Sequence, residues 1–463
     1  MKNKNIAYLI IGLFFIAFII GSFAYAAENN IISGEQIQIA QAKGKKGGPP
    51  GGKGKGKGAG KGGAPSFGLK QIYDRKKALL RLDINGDNSI STKEYDGPPR
   101  MFKELDTNGD GKLSFEEAKW MMTFSPIPSG SFMMGSDTGK EDARPAHKIA
   151  MDAFTMGTTE VTNAQYCTYL NSALAAGEIT VKLGDTGGGG VRIYIPIPGY
   201  IIEGAPGTKY TGKPYTALTP VTGLSHIKLD GHPLLISEHP LNQSWITYVP
   251  ELKRFFCNPG FMDWPVSHIR WYGAYAYAEH YGLSLPTEAQ WEYVAKGGRN
   301  FEWATHNGKI SCKNANYKCF AGTRSRNYKC FAGTRSRENH IGPDTPDEWI
   351  GYRITVGSYK PNPFGVFDLG GNVWEWTLDW YRKDFYQYCV DNNITSNPVN
   401  LDGQEPPMDG SAKGGPRGGF THDARVKRGG SYQYHTATLG TSFRSPGYPF
   451  RGNDHFGFRI VLN

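Results

Sequence analysis

The sequence predicts an α+β domain with little regular secondary structure, preceded by a small all-α pair of cation-binding loops. Three observations carry that prediction. Two 12-residue stretches, Asp83–Glu94 and Asp106–Glu117, each place oxygen-bearing residues at alternating positions. From Phe124 onward helical periodicity is scarce, and Gly/Pro-rich segments separate short apolar runs. Near the C-terminus, Gly370–Tyr381 reads GGNVWEWTLDWY and Arg428–Tyr432 reads RGGSY, before the chain closes on Phe456-Gly-Phe-Arg-Ile-Val-Leu. Paired glycines let backbone pass where a Cβ would clash, and each tryptophan buries a large surface while its one N–H needs an acceptor.

At the N-terminus, Lys2 and Lys4 precede an apolar run from Ile6 to Phe23, and Ala24-Tyr25-Ala26 offers a small-x-small cleavage site. Residues 1–26 therefore read as a signal peptide, and the chain as exported, periplasmic or extracellular. The alternative is an anchor in the inner membrane through residues 6–23. No cysteine follows the cleavage site, which excludes lipoprotein processing. The formal charge of +10 invites a nucleic-acid reading, but seven lysines lie between Lys43 and Lys61 in a Gly/Lys/Pro tract. With nothing to bury, residues 27–66 read as a disordered linker. Its rival role is weak, transient contact with a membrane surface or an anionic envelope polymer. Nucleic acid is implausible for an exported chain.

Residues 67–122 read as an EF-hand pair. Gln71–Leu82 has helical spacing, and the second loop starts 23 residues after the first. Asp83, Asn85, Asp87, Ser89, Ser91 and Glu94 fill positions 1, 3, 5, 7, 9 and 12 of the first loop. Asp106, Asn108, Asp110, Lys112, Ser114 and Glu117 fill those of the second. Such oxygens wrap a hard cation, with a bidentate glutamate closing the shell, so Ca²⁺ is the expected ligand. Ile90 and Leu113 fall at position 8, where paired loops exchange a short β-bridge. Asn88 takes position 6, where glycine is usual because the turn needs a positive φ; asparagine is well able to substitute there. Asp96-Gly-Pro-Pro-Arg100 breaks the helix leaving the first loop, which favours a structural module over an opening sensor.

In residues 124–463, Val161–Leu170 and Ile269–His280 read as helices buried on one face, and Thr287 caps a third over Glu288–Lys296. Six cysteines, at 167, 257, 312, 319, 330 and 389, form no CxxC; in an oxidising compartment disulfides are open to them. Asn316–Arg326 repeats without change as Asn327–Arg337, lengthening a surface loop and making Cys319 and Cys330 copies of each other.

Phe132-Met-Met-Gly135, Glu160–Tyr166, Leu285-Pro-Thr-Glu-Ala-Gln-Trp-Glu-Tyr293, the WEW segment and RGGSY occur in an order that resembles the formylglycine-generating enzyme / sulfatase-modifying-factor family. The resemblance implies its C-type-lectin-like fold, on which members perform different functions. Residues 176–262 are longer than the family usually carries there and are expected to form an insert over the site. Formylglycine-generating members carry cysteines where this chain has Tyr434 and Leu439; that pair binds copper(I) and oxidises a substrate cysteine. A phenol and a hydrocarbon do not suit a soft cation, so copper is not expected. Iron-dependent members use an upstream HxxxHxE helix, a spacing that the 11 histidines here do not show.

The pocket implied by the resemblance retains Ser431, Tyr434, His435 and Arg444. Ser431 and His435 read as a nucleophile–base pair or as ordinary hydrogen-bonding residues of the glycine-rich loop. The resemblance also implies calcium at Gly371, Asn372 and Glu375, and a second site at Asn316 and Tyr317, for which Asn327 is the rival. For Glu375 the alternative is a salt bridge to a core arginine such as Arg428. Two functions follow as expectations. One is a calcium-binding envelope protein with a binding, accessory or maturation role toward an exported enzyme or envelope polymer. The other is a sulfatase-modifying-factor-type oxidoreductase with a rearranged site.

Overall fold

A computed structural model describes residues 73–185, 198–218, 228–229, 232–233, 244–257, 260–318, 352–407 and 423–463. The expected signal peptide, the lysine-rich linker and the second copy of the duplication lie outside the described residues. The EF-hand pair opens with α1 (Arg75–Leu82), whose N-terminus Asp74 caps by accepting the Lys77 amide. Then follow β1 (Ser89–Ser91), α2 (Pro99–Leu105) and β2 (Lys112–Ser114). Pro99 sits in the first turn of α2, where its missing N–H costs nothing. No helix intervenes between β1 and α2, as the Gly-Pro-Pro break predicts. β1 and β2 pair antiparallel with Ile90 opposite Leu113, and both are fully buried beside Leu79, Phe102, Ala118 and Met121.

The large domain is short strands hung on three main helices. β3 (Phe124–Ile127), β4 (Gly130–Met134), β5 (His147–Met151) and β6 (Phe154–Gly157) lead into α3 (Asn163–Ala175). Next come β7 (Ile179–Asp185), β8 (Pro198–Gly204), β9 (Pro214–Leu218), β10 (Lys228–Leu229), β11 (His232–Pro233), β12 (Ile246–Val249) and β13 (Arg254–Cys257). α4 (Trp271–His280) and α5 (Glu288–Ala295) follow, then β14 (Trp374–Trp380), α6 (Phe385–Asp391) and β15 (Arg425–Arg428). β16 (Ser445–Gly447), β17 (Phe456–Phe458) and β18 (Val461–Leu462) close the chain. α3 and α5 start alike: Thr162 and Thr287 each accept an amide three residues on, from Gln165 and Gln290, whose side chains accept the threonine amides in return.

The WEW and RGGSY segments become neighbours because β14 and β15 are the middle of a sheet ordered β16-β15-β14-β17, with β17 parallel to β14. Three tryptophans find acceptors: Trp271 donates to Thr377 O, Trp376 to Ile269 O and Trp291 to Glu375, whereas the buried Trp374 N–H has no hydrogen-bond partner among the described residues. The insert is part of the core. Ile179, Ile202, Tyr215, Ile246 and Phe255 are buried against Tyr166, Tyr277 and Trp376.

α2 seats the EF-hand pair on the large domain. Glu104 lies 3.0 Å from His280 Nε2, accepts Tyr281 Oη at 2.8 Å and is bonded by Ser172 Oγ. The other ring nitrogen of His280 lies 2.6 Å from Glu178, which also pairs with Arg100 at 3.0 Å. Met101 from α2 and Met122 just beyond the pair join the large domain's core. Among the described residues, no helix is long and apolar enough to cross a membrane.

Candidate functional sites

In both EF loops the closing glutamate is turned inward. Glu94 Oε1 accepts the Ile84 and Asn85 amides while Oε2 accepts the amide and hydroxyl of Ser91. Glu117 repeats this with Thr107 and Asn108 on one oxygen and Ser114 on the other. Asp83 and Asp106 accept amides at positions 5 and 6 of their loops. Asn88 has φ of +63°, the left-handed conformation that position 6 requires. The all-oxygen donor set and the inward glutamates fit a calcium ion. Lys112 occupies position 7, where a ligand would be its backbone carbonyl, and its ammonium lies 2.8 Å from Asp87 of the first loop. That ammonium, with Ser89, holds the Asp87 carboxyl well below the usual carboxylate range.

Two of the large domain's motifs prove to be halves of one buried ion-pair network. Arg428 of RGGSY bonds Glu288 at 2.6 Å and Glu292 at 2.8 Å, both on α5 and fully buried. Arg444 grips both oxygens of Glu288 at 2.7 Å and donates to the Asp142 and Arg382 carbonyls. Arg444 is buried, and these bonds turn it toward the core. Glu375, expected as a calcium ligand, accepts Arg459 on both oxygens at 2.6 and 2.7 Å and Trp291 Nε1 at 2.7 Å. The core-arginine alternative is the one this geometry favours, with Arg459 in the place anticipated for Arg428.

Three of the remaining residues expected as calcium ligands, Asn316, Gly371 and Asn372, meet in a single node. Asn316 O accepts the Asn372 amide at 2.8 Å, and the Asn316 side chain donates to Asn372 Oδ1 and Tyr352 O. Gly371 has φ of +100°, and a Cβ there would lie 2.2 Å from Asn316 O, so only glycine lets the two segments touch. Tyr317 is buried beside Leu439, not in this node. Next to the node, Glu160 is a buried carboxylate and Asp368 a half-buried one. Burial, with neighbouring carboxylates, pushes Glu160 well above the usual range and Asp368 up to about 6.

The expected pocket residues differ in exposure. Ser431 is fully buried with Oγ accepting the Gln433 amide, whereas His435 is half-buried. Leu439 is fully buried, and Tyr434 is 37% exposed with its ring edge-on to Trp374 at 5.4 Å. Behind Tyr434 stands His455, 5.5 Å between centroids, with Nδ1 lying 2.7 Å from Asp454. Asp454 also accepts Tyr432 Oη and Gln433. Burial opposes ionisation of Asp454, but His455, His268 and Arg353 together hold it below the usual carboxylate range. Sequence reasoning missed Asp454, His455 and Lys427. The Asn453-Asp-His-Phe-Gly457 run was the available signal for the first two.

Lys427 is buried with its ammonium 3.7 Å from the Phe456 ring centroid and 5.4 and 5.6 Å from those of Trp374 and Trp376. Ring faces attract the cation, yet burial dominates and lowers its pKa to about 7. The folded protein therefore binds fewer protons than the unfolded chain between about pH 7 and 10.5, and stability contributed by this group rises with pH there. Lys427→Met is expected to raise the melting temperature by several degrees below that window and to flatten the rise within it. Melting curves taken on both sides of neutrality check this.

A family model described as the sulfatase-modifying factor enzyme 1-like domain matches residues 113–463, and an EF-hand domain model matches residues 100–124. The formylglycine-generating enzyme of Bos taurus is 28% identical over 355 residues, covering 73% of this chain and 74% of its own length. The serine/threonine-protein kinase pkn1 of Chlamydia pneumoniae is 27% identical over 337 residues, covering 73% of this chain and 37% of its own length. Among solved structures, PvdO from Pseudomonas aeruginosa is 18% identical with a TM-score of 0.41, covering 73% of this chain and 94% of that one.

Proposed function

This chain belongs to the sulfatase-modifying factor enzyme 1-like domain family, and from that premise we propose that it is an exported, calcium-binding member that does not form formylglycine. Its role is to bind or assist another exported protein or an envelope polymer. The observation that carries the reading is the pair Tyr434 and Leu439 at the copper-thiolate positions. Leu439 is sealed in the core, and burial holds the Tyr434 phenol above its ordinary pKa, so neither offers copper(I) a soft anion. Cys389, the last cysteine in the chain, is buried with its thiol pushed up to about 11, chiefly by burial. Export rests on the N-terminal sequence and calcium on the two EF loops. Because Arg459 already neutralises Glu375, we assign no cation to that carboxylate.

A second reading, an oxidoreductase of the same family with a rearranged site, draws on the Asp454–His455 pair behind Tyr434. One experiment separates them. The full chain is supplied with copper(I), oxygen and a CxPxR-type sulfatase peptide, and both the peptide mass and the bound metals are measured. The expected result is an unmodified peptide and calcium as the bound metal. Conversion of the peptide thiol to an aldehyde, or copper or iron near one per chain, would overturn the proposal in favour of the enzyme.

A further inference from the structure

Residues 255–257 and 260–264 lie antiparallel to α3, and each stretch is pinned to it. At one end the Asn171 side chain clamps Phe255, donating to its carbonyl and accepting its amide, both at 2.9 Å. At the other, the Ala164 amide donates to Met262 O at 3.1 Å and the Asn163 amide to Trp264 O at 2.9 Å. Cys167 lies one helical turn from each anchor, at i+3 from Ala164 and i−4 from Asn171, so it is on the side of α3 that carries both anchors, and Cys257 stands two residues from the Phe255 anchor. Cys257 is on the same face of β13 as Phe255 and is packed against the core that Phe255 and Cys167 share. Asn171 Nδ2 also reaches to 3.9 Å from Cys167 Sγ, which places that sulfur on the clamped side of the helix. Burial, and after it the neighbouring Cys167, raises the Cys257 thiol.

We propose that Cys167 and Cys257 are a disulfide site, one that staples the insert onto α3. The oxidant is a disulfide donor, either a small-molecule disulfide or a disulfide-exchange protein. One protein thiolate attacks a donor sulfur and releases a donor thiol. The second protein thiolate then displaces the other donor half, so two thiols lose two protons and two electrons and the donor disulfide becomes two thiols. Burial raises both thiols and keeps them poorly reactive in the folded chain, so the bond forms as the insert docks during folding. Cys312 is disulfide-bonded, so the bond would not be the chain's first. The natural supply of oxidant rests on the export reading; the geometry does not.

The test refolds the full chain with a mixture of reduced and oxidised glutathione, blocks remaining thiols and maps peptides without reduction. A Cys167–Cys257 linked peptide in most molecules is expected, lost in Cys257→Ser, together with a drop of several degrees in the melting temperature when this bond is reduced. Recovery of both cysteines blocked, or carrying glutathione only, overturns the proposal. Protein recovered from an exporting host is mapped in parallel. A bond that forms in glutathione but is missing there counts against export and leaves the site standing.

Discussion

Arg459→Met is expected to destabilise the large domain by about 3–5 kcal/mol, because it strands a fully buried carboxylate. Glu375 has no exposed surface, and two of its three bonds come from Arg459. The same guanidinium holds the Gly157 and Phe367 carbonyls at 3.1 and 2.9 Å, so β6, β14 and the loop before β14 all lose a tie at once. Glu160 and Asp368 stand beside Glu375, and Glu160 Oε1 has no hydrogen-bond partner among the described residues. Removing the arginine leaves Glu375 beside two further carboxylates with no cation between them, and burial already pushes Glu160 toward its neutral form. Pairing the change with Glu375→Gln is expected to restore much of the loss, as deletion of both charges removes the stranded one. Urea denaturation of the single and double variants measures this. A loss below about 1 kcal/mol that deepened in chelator would instead place calcium at Glu375.

The second large effect is on calcium stoichiometry. Glu94→Gln together with Glu117→Gln is expected to take bound calcium from two per chain to none, as measured by titration calorimetry at concentrations suited to extracellular-type affinity. Each glutamate spans its loop, one oxygen near positions 2 and 3 and the other near position 9, so an amide in its place leaves one end without an anionic ligand. The first loop is expected to bind more weakly than the second, since the Lys112 ammonium already sits on Asp87 and a calcium ion must displace it. Unchanged stoichiometry in the double variant would remove the EF-hand reading.

Much of this architecture was legible because it is local. The EF loops are written in twelve consecutive residues each, and the Ile90–Leu113 bridge follows from their spacing. The Thr287 capping box needs four residues, and the two buried helices need one apolar face. What could not be read is pairing between distant segments. Nothing in periodicity says that Glu375 meets Arg459, 84 residues away, while Arg428 turns to Glu288 and Glu292. The same limit hid the node where Asn316 and Asn372 meet, and it left the Asp454–His455 pair unnoticed behind Tyr434. α6 was missed for another reason: seven residues, with no capping side chain, leave almost no pattern to detect.

The seam between the EF-hand pair and the large domain changes what counts as a boundary. Sequence suggests that the chain comes apart near residue 123, between two modules that occur separately elsewhere. Energetically it does not. His280 is held between two glutamates, and one of them, Glu104, belongs to the helix that delivers Asp106 to its calcium loop. Cutting at residue 123 would bare the Tyr277 and Tyr281 rings, strip Glu178 of Arg100 and leave a histidine at the end of α4 facing water. The cation loops are thus less an appendage than a wall of the building, and whatever tightens them is felt by the tyrosines behind.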